Sequence, residues 1–287
     1  MKLIDLHTHS TMSDGSMAPE EVVNHAKKNG LTAIALTDHD SVEGVERAIL
    51  EGKSVGVEVV AGVEMSAQFK TETHILGYDI DTKDAGFLHA MEEVRRARLE
   101  RNMMTAENLR KLGFDVTYEE AAKFAPSGVL GRAHYARLMV EKGYVQSVKE
   151  AFDKYLSSGK AGYCDFQRYS PEECIEIINN AGGKAFLAHL HLIRLDDKEL
   201  EEYVIRLKNA GLSGIEGYYT EYDEKMHLKY LSLAKKHSLL ISGGTDFHGE
   251  MKPQISIGTG YGNMQIPYSV LENMRKYRNL LAIEDKF

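Results

Sequence analysis

Short apolar runs alternate with helix patterns along most of this chain, and this alternation constrains the fold more than any other feature. Two of the helix patterns open with proline and acidic residues and close with glycine, at residues 19–30 and 171–182. Strands joined by helical crossovers pair in parallel, so the sequence predicts an α/β fold whose parallel sheet is closed or nearly closed. About seven strands are predicted, at residues 3–6, 32–36, 57–61, 73–78, 185–189, 214–218 and 239–242.

The alternation is interrupted between about residues 85 and 160, where helix patterns occur without a strand pattern. The first helix runs to about residue 112 and is rich in arginine. We interpret this block as a helical insertion that caps the barrel. The predicted organisation is therefore a first barrel segment at 1–84, a helical insertion at 85–160 and a second barrel segment at 161–287. A helix is also predicted at residues 41–51 from its apolar spacing.

The composition indicates a globular protein of a reducing compartment. Of the 287 residues 43% are hydrophobic, and no apolar run is long enough to span a bilayer. Asp5 and His7 stand where an export signal needs an apolar core, and two cysteines do not make a disulfide framework. We therefore expect a cytoplasmic protein. Its formal net charge of −8 disfavours binding to long duplex nucleic acid.

The first predicted strand ends in two histidines, His7 and His9. Side chains two residues apart in a strand project to the same face, so both rings can bind one ion. Neutral imidazole is the commonest metal ligand in proteins. Asp14 follows in the next loop. Two unrelated polar residues at a strand end explain this motif equally well, so a metal site is predicted only if other parts of the chain supply further ligands.

Metal-capable side chains also follow the other apolar runs, on the C-terminal side. They are Asp38, His39, Glu64, His189, Asp246 and His248. In parallel α/β barrels the loops at that end converge and build the active site. Each residue alone has an ordinary alternative, as a helix cap, a solvated acid or a core histidine, but their one-sided placement predicts a metal site. His74 lies near the start of its strand, and reaches the same end if that strand is antiparallel or the barrel is distorted.

These motifs resemble the PHP family, the polymerase and histidinol phosphatase metal-dependent phosphoesterases, over essentially the whole chain. The motifs that carry the resemblance are DLHTHS at 5–10, SDG at 13–15, TDHD at 37–40, GVEMS at 62–66, HILGY at 74–78, AH at 188–189 and GTDFHG at 244–249. Within the family, the chain looks most similar to the bacterial group with a helical insertion, which acts on nucleoside 3′,5′-bisphosphates and on short RNA from the 5′ end. The resemblance implies a distorted (β/α)7 barrel.

The resemblance also implies a cluster of two or three divalent ions. The ligands implied for the three ions are, in turn, His7, His9, Glu64 and Asp246; Glu64 and His74 with His189 or His134; and Asp14, His39 and His248. The group usually has Ala-His-Pro where this chain has Leu190 after the histidine, and proline more often stands before His134. These departures leave His134, His189 and His191 as alternatives for one ligand, of which we favour His189. Such ligands suit Mn, Fe and Zn alike.

The resemblance implies a mechanism in which paired ions activate water and stabilise the charge on phosphate oxygens. Glu64 is the implied bridging ligand, because a carboxylate has two oxygens to share. His39 or His248 is implied to protonate the leaving group. Three ions would bring about +6 against about −3 from the ligand carboxylates, so an acidic chain can still bind an anion.

Arginines of the insertion are candidates for binding the substrate. Arg98 and Arg101 lie three residues apart on the predicted long helix and share a face, and Arg132 precedes His134. The guanidinium group matches phosphate with a fixed pair of donors. A solvated charged helix is the alternative. We expect Arg98, Arg101 and Arg132, with His134 and His248, to bind a small phosphorylated nucleotide or a short oligonucleotide.

Two other functions fit part of the pattern. An amidohydrolase that cleaves C–N bonds also opens with His-x-His and ends with aspartate, but Glu64 followed by His74 does not fit that class. A non-catalytic metal-binding module predicts bound metal without turnover. Neither alternative involves a membrane.

Overall fold

In the computed structural model, which describes residues 2–125, 130–165 and 168–276, the strands form one sheet that curves into a nearly closed barrel. The strands are β1 (Leu3–Thr8), β2 (Leu31–Leu36), β3 (Glu58–Ser66), β4 (His74–Tyr78), β5 (Lys184–Leu187), β6 (Gly214–Tyr219), β7 (Leu240–Gly244) and β8 (Ile266–Pro267). Their order in the sheet is β7-β6-β5-β4-β3-β2-β1-β8. Backbone hydrogen bonds from Asp246 to His7 and from His9 to Phe247, both 2.9 Å, join β1 to the segment after β7. The predicted α/β barrel is confirmed, with a two-residue β8 in addition.

Ten α-helices are seen in the described residues. They are α1 (Pro19–Lys28), α2 (Val45–Val55), α3 (Ala85–Lys111), α4 (Tyr118–Ala122), α5 (Arg132–Glu141), α6 (Val148–Ala151), α7 (Pro171–Asn180), α8 (Asp197–Asn209), α9 (Glu224–Lys236) and α10 (Ser269–Lys276). The helix predicted from residue 41 begins instead at Val45, because Val42 packs into the core ahead of a turn closed by the Val45 N–H and the Val42 carbonyl. None of these helices is long and apolar enough to cross a membrane.

The sheet is mixed. The predicted parallel pairing is interrupted at β4, where the antiparallel alternative is confirmed, and at β8, which was not predicted. β4 runs antiparallel to both β3 and β5, and β8 runs antiparallel to β1, whereas the other neighbours are parallel. The short connection of residues 67–73 leaves no room for the helix that a parallel crossover needs. His74, the first residue of β4, consequently pairs with Ser66, the last residue of β3. The start of β4 therefore lies at the same barrel end as the C-terminal ends of the parallel strands.

The strands bury one set of side chains inside the barrel and the other beneath the helices. Leu6 and Tyr78 belong to one buried cluster, although their strands are not neighbours, and the Tyr78 hydroxyl donates to the Leu6 carbonyl at 2.9 Å. Ile75 and Leu187 belong to a second cluster with residues of α7 and α8. This alternation follows the two-residue period of a strand, so the interior is filled by side chains.

The helices between β4 and α7 have a hydrophobic core of their own. α3 contributes to two cores, with Phe87 and Met91 in the cluster outside the barrel and Leu109 in the separate cluster of the insertion. Tyr135 and Met139 of α5 complete the centre of that second cluster. The described residues between β4 and β5 contain no strand. The domain boundaries at 84 and 160 stay a prediction, and residues 277–287 of the second barrel segment lie outside the described residues.

Candidate metal centre

The two histidines at the end of β1 point ring nitrogens at the same carboxylate. His7 Nε2 and His9 Nε2 each lie 3.2 Å from Glu64 Oε2. On its other side, His7 Nδ1 lies 2.9 Å from Glu216 Oε1. A carboxylate accepts, so His7 donates from Nδ1 to Glu216, and Nε2 is the ring atom directed at the centre.

Four buried side chains form the first group of potential metal ligands: His7, His9, Glu64 and Asp246. Their ligand atoms lie within 4.8 Å of one another. His7 Nε2, His9 Nε2 and Glu64 Oε2 are buried without a hydrogen-bond partner, although they lie side by side. Buried polar atoms are normally satisfied, and a bound cation would satisfy all three of these at once. The donor set therefore fits a divalent metal ion.

Glu64 is the residue that connects the ligand groups. It lies within β3 and is fully buried, so its interpretation as a solvated loop acid is wrong. Oε1 lies 2.8 Å from His74 Nδ1 and 2.9 Å from His189 Nε2, while Oε2 faces three other histidines at 3.2 Å. The second group of possible ligands is His39, Glu64 and His74. The two oxygens of Glu64 thus face different sets of imidazoles, as a bridging carboxylate requires.

The third group lies at the mouth of the barrel and consists of His9, Asp14, His39 and His248. His248 Nε2 lies 3.1 Å from Asp14 Oδ1, and His39 Nε2 lies 3.8 Å from Asp14 Oδ2. His248 Nδ1 donates to the Asp246 carbonyl at 2.8 Å, so Nε2 is the ring atom that faces Asp14. The Asp14 side chain is 37% exposed, so this group is the most open to solvent of the three.

The carboxylates and imidazoles of the centre shift one another's pKa values. Burial alone would raise the pKa of Glu64, but the surrounding histidines lower it well below its usual range, and the same balance holds for Asp246. Burial alone would lower the pKa of His7, but the neighbouring carboxylates raise it well above its usual value. Burial dominates at His39 and lowers its pKa to about 4, which keeps that ring in the neutral form that binds metal.

Of the three alternatives for one ligand position, the structure brings His189 to Glu64. His191 Nε2 instead lies 3.1 Å from Glu221 Oε2, away from the ligand groups. His134 Nδ1 accepts the backbone N–H of Gly131 at 2.9 Å, at the start of α5. The preference for His189 as a ligand stays a prediction, now supported by its distance to Glu64.

Three further buried carboxylates support the ligands from the side away from the centre, and the sequence analysis missed two of them, Asp5 and Glu216. Glu216 bonds His7 Nδ1 and also accepts the backbone N–H of His189 at 2.7 Å. Asp5 accepts backbone N–H groups of Thr245 and Gly258, and Asp38 accepts from serines of the loop after β1. The available signal was an acidic residue inside an otherwise apolar strand, as at Glu216. Such outer partners fix the orientation and tautomer of the residues that bind a metal.

Asp246 has one oxygen directed at the histidines and the other bound to the protein. Oδ1 lies 3.2 Å from His9 Nε2. Oδ2 accepts from the Tyr219 hydroxyl at 3.0 Å and from Lys252 Nζ at 2.7 Å. This arrangement leaves a single oxygen, Oδ1, for an ion.

The arginines expected to bind substrate lie on the insertion. Arg98 forms an ion pair with Asp40, the residue after His39. Arg101 contacts the Asn102 side chain and the Leu130 carbonyl, and Arg132 lies over the Tyr163 ring and contacts the Leu156 carbonyl. Burial, together with the charges of Arg98, Arg132 and a further arginine, lowers the pKa of Arg101 to about 10, so it remains charged at neutral pH.

The sequence matches one family model over most of its length. The model of the PHP domain matches residues 5–251. The 5′-3′ exoribonuclease Rnm of Escherichia coli (strain K12) is 32% identical over 89% of this chain and 88% of that protein. The 3′,5′-nucleoside bisphosphate phosphatase of Chromobacterium violaceum is 33% identical over 86% of this chain and 88% of that protein.

Two solved structures share the fold over nearly the full length. One is an amidohydrolase from Chromobacterium violaceum with bound sulfate, at a TM-score of 0.79 and 29% identity, covering 97% of this chain and 99% of that chain. The other, from Bifidobacterium adolescentis, is classed as a metal-dependent phosphoesterase and gives a TM-score of 0.80 at 25% identity, covering 98% of each chain.

Proposed function

The chain belongs to the PHP domain family, and from that premise we propose that it is a metal-dependent phosphoesterase of small nucleotides. Two relatives are named as a 3′,5′-nucleoside bisphosphate phosphatase and a 5′-3′ exoribonuclease. For this chain we propose attack at the 3′-phosphate of nucleoside 3′,5′-bisphosphates, or on short 5′-phosphorylated oligoribonucleotides. The observation that carries the proposal is Glu64, whose two oxygens face separate sets of buried imidazoles.

The three ligand groups would hold two or three divalent ions, of Mn, Fe or Zn. When bound, such ions polarise a phosphate ester and lower the pKa of a water molecule. Glu64 would offer one oxygen to each of two positions, and Glu216 would hold the His7 ring with Nε2 directed at the first. His189 completes the set around Glu64 Oε1, at 2.9 Å.

Protein side chains supply the proton and the substrate contacts. His39 and His248 lie beside Asp14 at the open mouth, where one of them protonates the leaving oxygen of the ester. We assign His248 and His134 to the substrate as well, because His248 Nε2 lies 3.1 Å from the partly exposed Asp14 carboxylate, whose charge also acts on the His134 ring. The free thiols of Cys164 and Cys174 suit the cytoplasm, where we place the protein.

Arg101 and Arg132 bind the phosphate that is not hydrolysed, and Arg98, which pairs with Asp40, adds its positive charge beside Arg101. A charge-assisted hydrogen bond contributes roughly 1.5–3 kcal/mol. Arg101→Ala or Arg132→Ala should therefore lower kcat/KM on a nucleoside bisphosphate about ten- to a hundredfold, with little change on p-nitrophenyl phosphate. Arg110→Ala, an exposed change near the end of α3, is the matched control. A parallel fall on both substrates would assign the arginines to structure or to the scissile phosphate.

Phosphate release from a substrate panel tests the function itself. With Mn²⁺ present, we expect turnover of nucleoside 3′,5′-bisphosphates or short 5′-phosphorylated RNA above that of simple monophosphates, and none after chelation. Amide substrates in the same panel test C–N hydrolysis. Turnover of amides alone would replace this proposal by an amidohydrolase, and metal binding without turnover of any phosphoester would replace it by a binding module.

A further inference from the structure

A cleft of about 390 Å³ lies between α3 and the segment that follows β2. His39 lines its inner end, and Leu88, Leu99 and Tyr118 line its outer part. Leu88 and Leu99 are 44% and 43% exposed and line the same cleft, so their apolar side chains are accessible to a ligand there. Its volume lies within the range of small-molecule sites, roughly 300–1,000 Å³.

The charges in this cleft are already balanced. Arg95 pairs with Glu43 and Glu92, and Arg98 pairs with Asp40. Around Arg101, by contrast, the positive charges of Arg132 and other arginines accumulate. A phosphate is therefore better accommodated near Arg101, whereas the cleft suits an uncharged and largely apolar group.

The cleft also joins the candidate metal centre directly. His39 lines it and belongs to two of the ligand groups, with Nδ1 3.2 Å from Glu64 Oε2. A phosphate ester held at the centre would have its alcohol portion next to the inner end of the cleft. In a nucleotide that portion is a sugar carrying a flat, uncharged base.

We propose that this cleft binds the nucleobase of the substrate, an inference that rests on the proposed function. Polar side chains at its base are engaged elsewhere: Asn102 donates to the Leu130 carbonyl at 2.9 Å, and Asp40 Oδ1 accepts the Ser66 N–H at 2.9 Å. The base is held by apolar contacts and by the Tyr118 ring, and not by hydrogen bonds to the polar groups on its edge. Contacts of this kind tolerate all bases, so the enzyme accepts adenine, guanine, cytosine and uracil alike.

Kinetics with and without a base test this inference. The pair of substrates is adenosine 3′,5′-bisphosphate and 1,4-anhydroribitol 3,5-bisphosphate, which keeps the sugar and both phosphates but has no base. We expect kcat/KM at least about tenfold higher for the nucleotide, and values within about fivefold across the four bases. Leu99→Ala should lower kcat/KM about five- to tenfold on the nucleotide only, mainly through KM. Met103→Ala, on the same helix but outside the cleft, is the control and should change neither.

A binding measurement separates this inference from the proposed function. The chain has no tryptophan, so Leu88→Trp places a single fluorescent reporter at the cleft, and Met103→Trp places one outside it. Adenosine 5′-monophosphate should quench the first reporter and not the second, while ribose 5-phosphate quenches neither. Quenching of both reporters or of neither, or equal kcat/KM for the two bisphosphates, overturns the cleft assignment. Absence of hydrolysis with every phosphoester overturns the proposed function, while the fluorescence result still decides whether the cleft binds a base.

Discussion

Glu216 offers a sharp test of the metal centre, because it fixes ligands without belonging to a ligand group. Oε1 lies 2.9 Å from His7 Nδ1, and Oε2 accepts the backbone N–H of His189 at 2.7 Å. Both partners donate, so both oxygens must accept. Glu216→Gln keeps the size of the side chain but replaces one acceptor by an NH₂ donor, which must face one of these two N–H groups.

Each placement of the amide damages the centre. If the nitrogen faces His7, the ring must make Nδ1 an acceptor and carry its proton on Nε2, the atom that faces Glu64. If the nitrogen faces His189, two donors oppose each other in a buried site, and an unsatisfied buried donor costs about 1–3 kcal/mol. Outer partners of metal-binding histidines typically contribute about ten- to a hundredfold to metal affinity. We expect a loss in that range.

Competition with a chelating indicator measures this loss for Mn²⁺ and Zn²⁺, on protein whose fold is checked by circular dichroism. Glu221→Gln is the matched control, because Glu221 pairs with His191 outside the ligand groups. Its metal Kd should equal that of the unchanged protein. A Kd within about twofold of that value for correctly folded Glu216→Gln would refute the reasoning about the His7 tautomer.

Three further changes probe the same centre. Glu64→Gln should fold normally but bind fewer ions per chain by elemental analysis and lose turnover by orders of magnitude; near-normal values of both would contradict the bridging role. Lys252→Met removes a positive charge that lies 2.7 Å from Asp246 Oδ2 and repels a bound cation, so metal affinity should rise by about tenfold in the same competition assay. Tyr219→Phe removes an uncharged donor to the same oxygen and should change metal affinity less. At a free metal concentration of about a hundred times Kd, an ion that binds only the native state adds about 2.7 kcal/mol to the free energy of unfolding. Chelation of that metal should therefore lower Tm by about 5–10 °C, and an unchanged Tm would argue against ions in the folded protein.

The side of the barrel on which the site lies was predictable from the chain. Histidines and carboxylates that follow apolar runs share an edge whenever the strands are parallel, and the structure brings His7, His9 and Asp246 within one such group. The two-residue spacing of His7 and His9 similarly predicted a common face. These features depend only on strand polarity and period, which a sequence displays directly.

The direction of β4 and the supporting carboxylates were not predictable in the same way. His74 reaches the site because β4 turns back on β3, and apolar spacing does not encode strand direction. Glu216 and His7 are 209 residues apart, so their hydrogen bond exists only once the barrel closes. A buried acid in a strand signals that some partner exists, but the identity of that partner is a tertiary property.

Asp40 shows how such tertiary contacts connect the insertion to the metal centre. Its Oδ1 accepts the N–H of Ser66, the residue that pairs with His74, and its Oδ2 accepts from Arg98 of α3. Asp40 also follows His39 directly in the chain and adopts a φ of 50°, a conformation that aspartate tolerates better than most residues. A single carboxylate therefore joins the loop that carries His39, the hairpin that carries Glu64 and His74, and the helix that forms one wall of the cleft. Because these three elements share Asp40 as a buried partner, the position of the insertion relative to the ligands is fixed. A substrate that contacts α3 is therefore held at a fixed position relative to the candidate metal centre through the ion pair between Asp40 and Arg98.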